Sequence, residues 1–72
     1  MPSGPGPDTA RAFAELSVMI DALDGLRSRA ASLAEPFLGT EREDVVTAVH
    51  EAERSILMAV RAMQRALKTL ER

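Results

Sequence analysis

The sequence predicts an all-α fold: a two-helix antiparallel hairpin that completes a helical bundle by self-association or with a partner helix. Three observations predict it. Apolar residues recur at alternating spacings of three and four along two long stretches. A Pro and a Gly fall close together between those stretches. The hydrophobic share, 46%, is mostly Ala, Leu, Val and Met with only 3% aromatic, a composition suited to helices rather than sheets.

Residues 1–7, Met1-Pro2-Ser3-Gly4-Pro5-Gly6-Pro7, hold three of the four Pro and two of the four Gly. They are expected to form a disordered leader, because few of them offer side chains to pack or amides to pair. With no Lys, no Arg and no apolar run, the leader reads as neither a secretory signal nor a transit peptide.

The hairpin proper is expected over 8–72. Its first helix spans 9–35, with Asp8 or Thr9 placed to cap the first amides. Ala12, Leu16, Met19, Leu23, Leu26, Ala30, Leu33 and Phe37 form the apolar stripe, and Phe13, Ile20, Ala31 and Ala34 widen it beyond a narrow coiled-coil seam. Gly25 interrupts the stretch and marks a weak point or a close helix crossing. Pro36 disfavours helical geometry at Glu35, and Gly39 follows it, so the turn is placed at 36–40.

The second helix is expected over 41–71. Thr40-Glu41-Arg42-Glu43 matches a capping box, in which the Thr40 hydroxyl accepts the Glu43 amide and the Glu43 carboxylate reaches back to the Thr40 amide. Val45, Val49, Ala52, Ile56, Ala59, Met63, Ala66 and Leu70 form the stripe, flanked by Val46, Val60 and Leu67. The connection is short, so the helices must lie antiparallel. That arrangement brings Asp8 and Glu15 toward Lys68 and Arg61, and Asp21 and Asp24 toward Arg54.

Two such wide faces cannot cover each other. Leaving several Leu, Ile, Val and Met side chains in water forfeits several kcal/mol at roughly 25 cal/mol per Å², comparable to the stability of a domain this small. A helical protein partner, or a second copy, is therefore expected. Leu57 and Met58 lie off the main stripe, and with Val46 and Val60 they are read as a second apolar surface for that partner.

Several function classes are disfavoured by composition. No Cys is present, and His50 is the one His, so a disulfide, a thiolate and a Ser-His-Asp arrangement lack their residues. A helical Glu-x-x-His metal motif would need a carboxylate at 47, which is Thr47. No catalytic residue, cofactor, metal or small-molecule substrate is expected, and the chain is not read as an enzyme. The formal net charge is −2, with a sequence pI near 5.3. Nucleic acid is accordingly disfavoured, although Arg54, Arg61, Arg65, Lys68 and Arg72 form a basic stripe. No run of 18 apolar residues exists to span a membrane, and the expected location is cytoplasmic.

The segment Ala48-Val49-His50-Glu51-Ala52-Glu53-Arg54-Ser55-Ile56-Leu57, within a short helical hairpin, resembles the second helix of the small needle-subunit chaperones of bacterial type III secretion systems. The resemblance implies work alongside a helical-repeat co-chaperone to cradle the amphipathic C-terminal helix of the needle subunit. Phe37-Leu38-Gly39 at the bend, with Val49, Glu53, Ile56 and Val60, resembles the secreted helical hairpins named for a Trp-x-Gly bend. That resemblance implies export.

The function expected is a small protein-interaction module, a chaperone-like or adaptor subunit covering an amphipathic helix of a partner such as a secretion-system subunit. The partner-binding residues are Leu16, Met19, Leu23 and Leu26, with Val49, Ile56, Leu57, Val60, Met63 and Leu67. The alternatives are a secreted bend-motif hairpin and a small dimeric nucleic-acid-binding regulator.

Overall fold

The computed structural model describes residues 6–71. Helix α1 runs Pro7–Ala34, a 3₁₀ turn covers Glu35–Phe37, and helix α2 runs Glu43–Leu70. Each helix has 28 residues, about 42 Å of rise. They pack along each other as an all-α hairpin. Of the leader expected over 1–7, residues 1–5 lie outside the described residues.

Pro7, expected in the leader, is instead the first residue of α1. Its fixed φ suits that position, and its missing amide would have had no intrahelical acceptor. Gly6 holds the cap position in extended geometry without a side-chain bond, and its carbonyl accepts the Ala10 amide at 3.1 Å. Asp8 and Thr9 therefore do not cap. Both fall inside the first turn, where the Asp8 carboxylate favours the helix dipole.

At the other end α1 stops at Ala34, one residue early, yet Glu35 keeps right-handed helical angles. Pro36 lacks the amide that would continue the α pattern, so the chain tightens into the 3₁₀ turn rather than extending. Leu38 then adopts φ −63° and ψ 131°, Gly39 adopts φ +71°, and the Thr40 amide donates to the Phe37 carbonyl at 3.2 Å. This is a type II turn, which needs a residue tolerant of positive φ at its third position. Gly39 supplies it.

The capping box does not form as drawn. Helix α2 starts at Glu43 rather than 41, and Arg42 occupies the cap position without a side-chain bond. The Thr40 hydroxyl donates to the Phe37 carbonyl at 2.6 Å and accepts the Arg42 amide at 3.1 Å, while the Glu43 carboxylate accepts the Gly39 amide at 2.9 Å. Both side chains still satisfy backbone groups. They do so one register earlier, because the type II turn has already engaged the Thr40 amide.

Burial resolves each helix into rows repeating every seven residues. On α1 a central row, Thr9, Leu16, Leu23 and Ala30, is half-buried throughout. Four residues on from each lies a covered row in which Ile20 and Arg27 are half-buried and Ala34 is 3% exposed, while Phe13 at its far end is 40% exposed. Three residues on lies an open row in which Met19, Leu26 and Leu33 are exposed and Ala12, at its far end, is half-buried. The matching rows on α2 are central Val49, Ile56, Met63 and Leu70, covered Val46, Glu53, Val60 and Leu67, and, on the open side, Val45, Ala59 and Ala66, half-buried, with Ala52 exposed. Val46 and Val60 are 5% and 3% exposed.

The hairpin seam is thus made by the central and covered rows. Met19, Leu26 and Leu33, expected in the α1 stripe, are displaced from it by Ile20, Arg27 and Ala34. Ala52 is likewise displaced and exposed. The two helices cannot choose rows independently, since antiparallel packing brings like rows together. On α2 the covered row offers Val, Val and Leu where the open row offers three Ala, so burying it removes more apolar area. That preference sets the rotation of α1 as well.

Candidate functional site

The candidate site is the face that this rotation leaves uncovered. Stepping three residues from a central position leads to the open row on both helices. In two right-handed helices running in opposite directions, the three-step sides turn to the same face of the hairpin. Leu33, Leu26, Met19 and Ala12, counted out from the bend, therefore lie beside Val45, Ala52, Ala59 and Ala66. Met19, Leu26 and Leu33 are 44%, 47% and 68% exposed. Behind the α2 row runs a further line of short side chains, Ala48, Ser55, Ala62 and Thr69, all exposed. The four-step face is polar by comparison, with Ser17 and Asp24 on α1 and His50, Gln64 and Glu71 on α2.

The ten residues expected to bind a partner do not share one surface. Leu16, Leu23, Val49, Ile56, Met63 and Leu67 are half-buried in the seam, and Val60 is among the most buried residues of the chain. Val60 and Val46 hold the hairpin together, so the second apolar surface assigned to them with Leu57 and Met58 does not exist as a surface. Leu57 is half-buried toward the polar face. Met58, 61% exposed, points away from α1. Of the ten, Met19 and Leu26 stand on the open face, joined by Leu33. The signal for this was present in the extra width of the stripe: a helix with three apolar rows in seven must expose one when a single neighbour covers two.

Inside the seam the third layer from the bend is polar. It pairs Arg27 on α1 with Glu53 on α2. The Arg27 guanidinium, 38% exposed, bonds Asp24 at 3.3 Å on its own helix. One Glu53 carboxylate oxygen is buried with no hydrogen-bond donor. No sequence signal singled out this layer, since neither residue belongs to the apolar stripe.

Among the described residues the ion pairs are Arg27–Asp24 and Arg42–Asp44, the latter at 3.1 Å, each within one segment. The pairs expected between Asp8, Glu15, Asp21 or Asp24 and the basic side of α2 do not form. Arg54, Arg61, Arg65 and Lys68 are exposed and sit on the side of α2 turned away from α1, with the body of α2 between them and the opposite carboxylates. Arg72 lies outside the described residues. Among those described, no three His, Asp or Glu side chains converge on a metal-sized position, and no helix is long and apolar enough to cross a membrane. His50 is exposed.

Fold and surface together define the class: an all-α helical hairpin with one apolar and one polar face. Comparison with protein-family models, with characterised proteins and with solved structures finds no match to this chain.

Proposed function

We propose that this chain works by binding protein through its helices, as a chaperone-like or adaptor module whose open face covers an amphipathic helix. The observation that supports the reading is the row of Met19, Leu26 and Leu33, close to half or more exposed where the described residues include only three buried apolar ones. Leaving each of these side chains half in water forgoes about 1 kcal/mol, so a helix laid along the row is stabilised by a large part of what a domain this small has in total. A leucine-patterned amphipathic helix suits this face, offering anchors at spacings of three, four and seven to lie along the row.

A secretion-system subunit with an amphipathic C-terminal helix is one partner of this chemistry, and the resemblance of Ala48–Leu57 to needle-subunit chaperones favours it. The role needs contact surface and assigns no residue to catalysis. The cytoplasm is the compartment in which such a subunit is held before export.

The test is association of the full chain, alone or mixed with a synthetic leucine-patterned amphipathic peptide, followed by light scattering and anisotropy. Leu26→Asp is expected to abolish association while leaving helicity unchanged, because position 26 lies outside the seam. A chain that stays single, binds no helix and shows no hydrophobic-dye binding would overturn the reading. Retention on DNA that falls steeply with salt would point instead to Arg54, Arg61, Arg65 and Lys68 as the functional surface.

A further inference from the structure

The open face carries two features that point to its occupant. Its α1 half is bulky, with Met19, Leu26 and Leu33, and its α2 half is small, with exposed Ala52 and half-buried Ala59 backed by exposed Ala48, Ser55 and Ala62. Neither half fills the other. Both belong to one face of one chain, so a partner must present small residues to the first half and large ones to the second. A copy of the same hairpin, turned over by a two-fold axis parallel to the helices, does both at once. Each α1 then lies on the α2 of the other copy, with both bends at the same end.

Charge on the outer flank agrees independently. Arg29, Ala22 and Glu15 follow the outer edge of α1 away from the bend, and Glu51, Met58 and Arg65 follow the outer edge of α2 at the same levels. All six are exposed, and within one chain these edges point apart. In the two-fold arrangement Arg29 of each copy comes level with Glu51 of the other, Glu15 with Arg65, and Ala22 with Met58. The signs are opposite at both ends of the edge, and the apolar Met58, 61% exposed in the single chain, meets an alanine. The end-for-end alternative also opposes these signs, Arg29 to Glu15 and Glu51 to Arg65, but it sets bulky row against bulky row and small against small and lays Met58 on Met58, so bulk decides the orientation.

We propose that the open face pairs with the same face of a second copy of this chain, closing a four-helix bundle with both bends at one end. This rests on the reading of that face as a helix-binding surface and names its occupant. Alanine rows let the α1 and α2 axes of different copies approach to the close end of the 8–10 Å range.

Light scattering on the purified full chain is expected to give about twice its 7.8 kDa. Leu26→Asp is expected to give a single-copy mass with helicity retained, whereas His50→Asp, at an exposed position on the opposite, polar face, stays dimeric. Arg29→Glu is expected to raise the dimer Kd about tenfold, since the pair occurs twice per dimer, and adding Glu51→Arg to recover it. A disulfide forming on mixing the Leu26→Cys and Ser55→Cys chains supports the stated orientation. A dimer that ignores Leu26→Asp, or a charge reversal that Glu51→Arg does not rescue, overturns the proposal. A single-copy chain that binds the amphipathic peptide overturns it too but leaves the helix-binding reading standing. A single-copy chain that binds neither ends both.

Discussion

Among the described residues, Glu53 is the one with a buried side-chain oxygen that lacks a hydrogen-bond partner, an environment in conflict with its chemistry. A carboxylate oxygen shut away from water without a donor costs about 1–3 kcal/mol, and here the guanidinium at the same layer is engaged by Asp24 at 3.3 Å instead. Glu53→Leu removes that cost and adds apolar contact with the central rows. Thermal or urea unfolding should show the variant more stable by about 1–2 kcal/mol. A loss of stability would mean that the carboxylate is satisfied in solution. Gly25 makes a second residue-scale case. It lies in α1 where a Cβ would meet nothing within 4 Å, so the close crossing suggested by its position is absent. Gly25→Ala is expected to gain about 1 kcal/mol of helix propensity, read as a rise of about 4–8 °C in Tm for a chain this short.

At the scale of the element, α2 decides the packing and α1 accommodates it. The covered row of α2 is Val46, Glu53, Val60 and Leu67, and burying it in place of alanines outweighs the exposure of Met19, Leu26 and Leu33 on the neighbouring helix. Truncation should report this asymmetry. Val60→Ala removes two carbons at a position 3% exposed and should cost about 2 kcal/mol, whereas Met58→Ala, 61% exposed, should change the stability of the hairpin itself by less than about 0.5 kcal/mol in denaturant melts done at dilution. Comparable losses at both positions would show that α2 is rotated from the setting described. The bend enforces the same rotation from its own end. With Gly39 at φ +71° and its amide held by the Glu43 carboxylate, α2 leaves the turn in a defined direction, and Ala34 and Val46 close the first layer.

At the scale of the whole molecule, a pair of helices without disulfides is a small structure with a thin core. Ala34, Val46 and Val60 are its buried apolar residues, and chains of this size ordinarily add a staple, a metal or a partner. The open face, with bulky residues on one helix and alanines on the other, is the feature of the fold that a partner would complete. On the proposed reading, an occupant of that face, another protein or a second copy, would supply the missing interior.

The hairpin, its bend and its apolar width were legible in the order of residues. Periodicity, Pro36 and Gly39 act locally, so two helices and a turn near 36–40 could be read without knowing how they pack. The capping residues could be recognised at Thr40 and Glu43 but not their partners, because the type II turn had first claim on the Thr40 amide. Which two of three apolar rows meet was not legible. Taken alone, α1 would bury Met19, Leu26 and Leu33 and α2 would bury Val46, Val60 and Leu67, and only the antiparallel pairing, in which one helix cannot rotate without the other, decides between these opposed choices. For the same reason Val60 moved from expected partner surface to core, Leu33 joined Met19 and Leu26 outside, and Glu53 was carried into the seam.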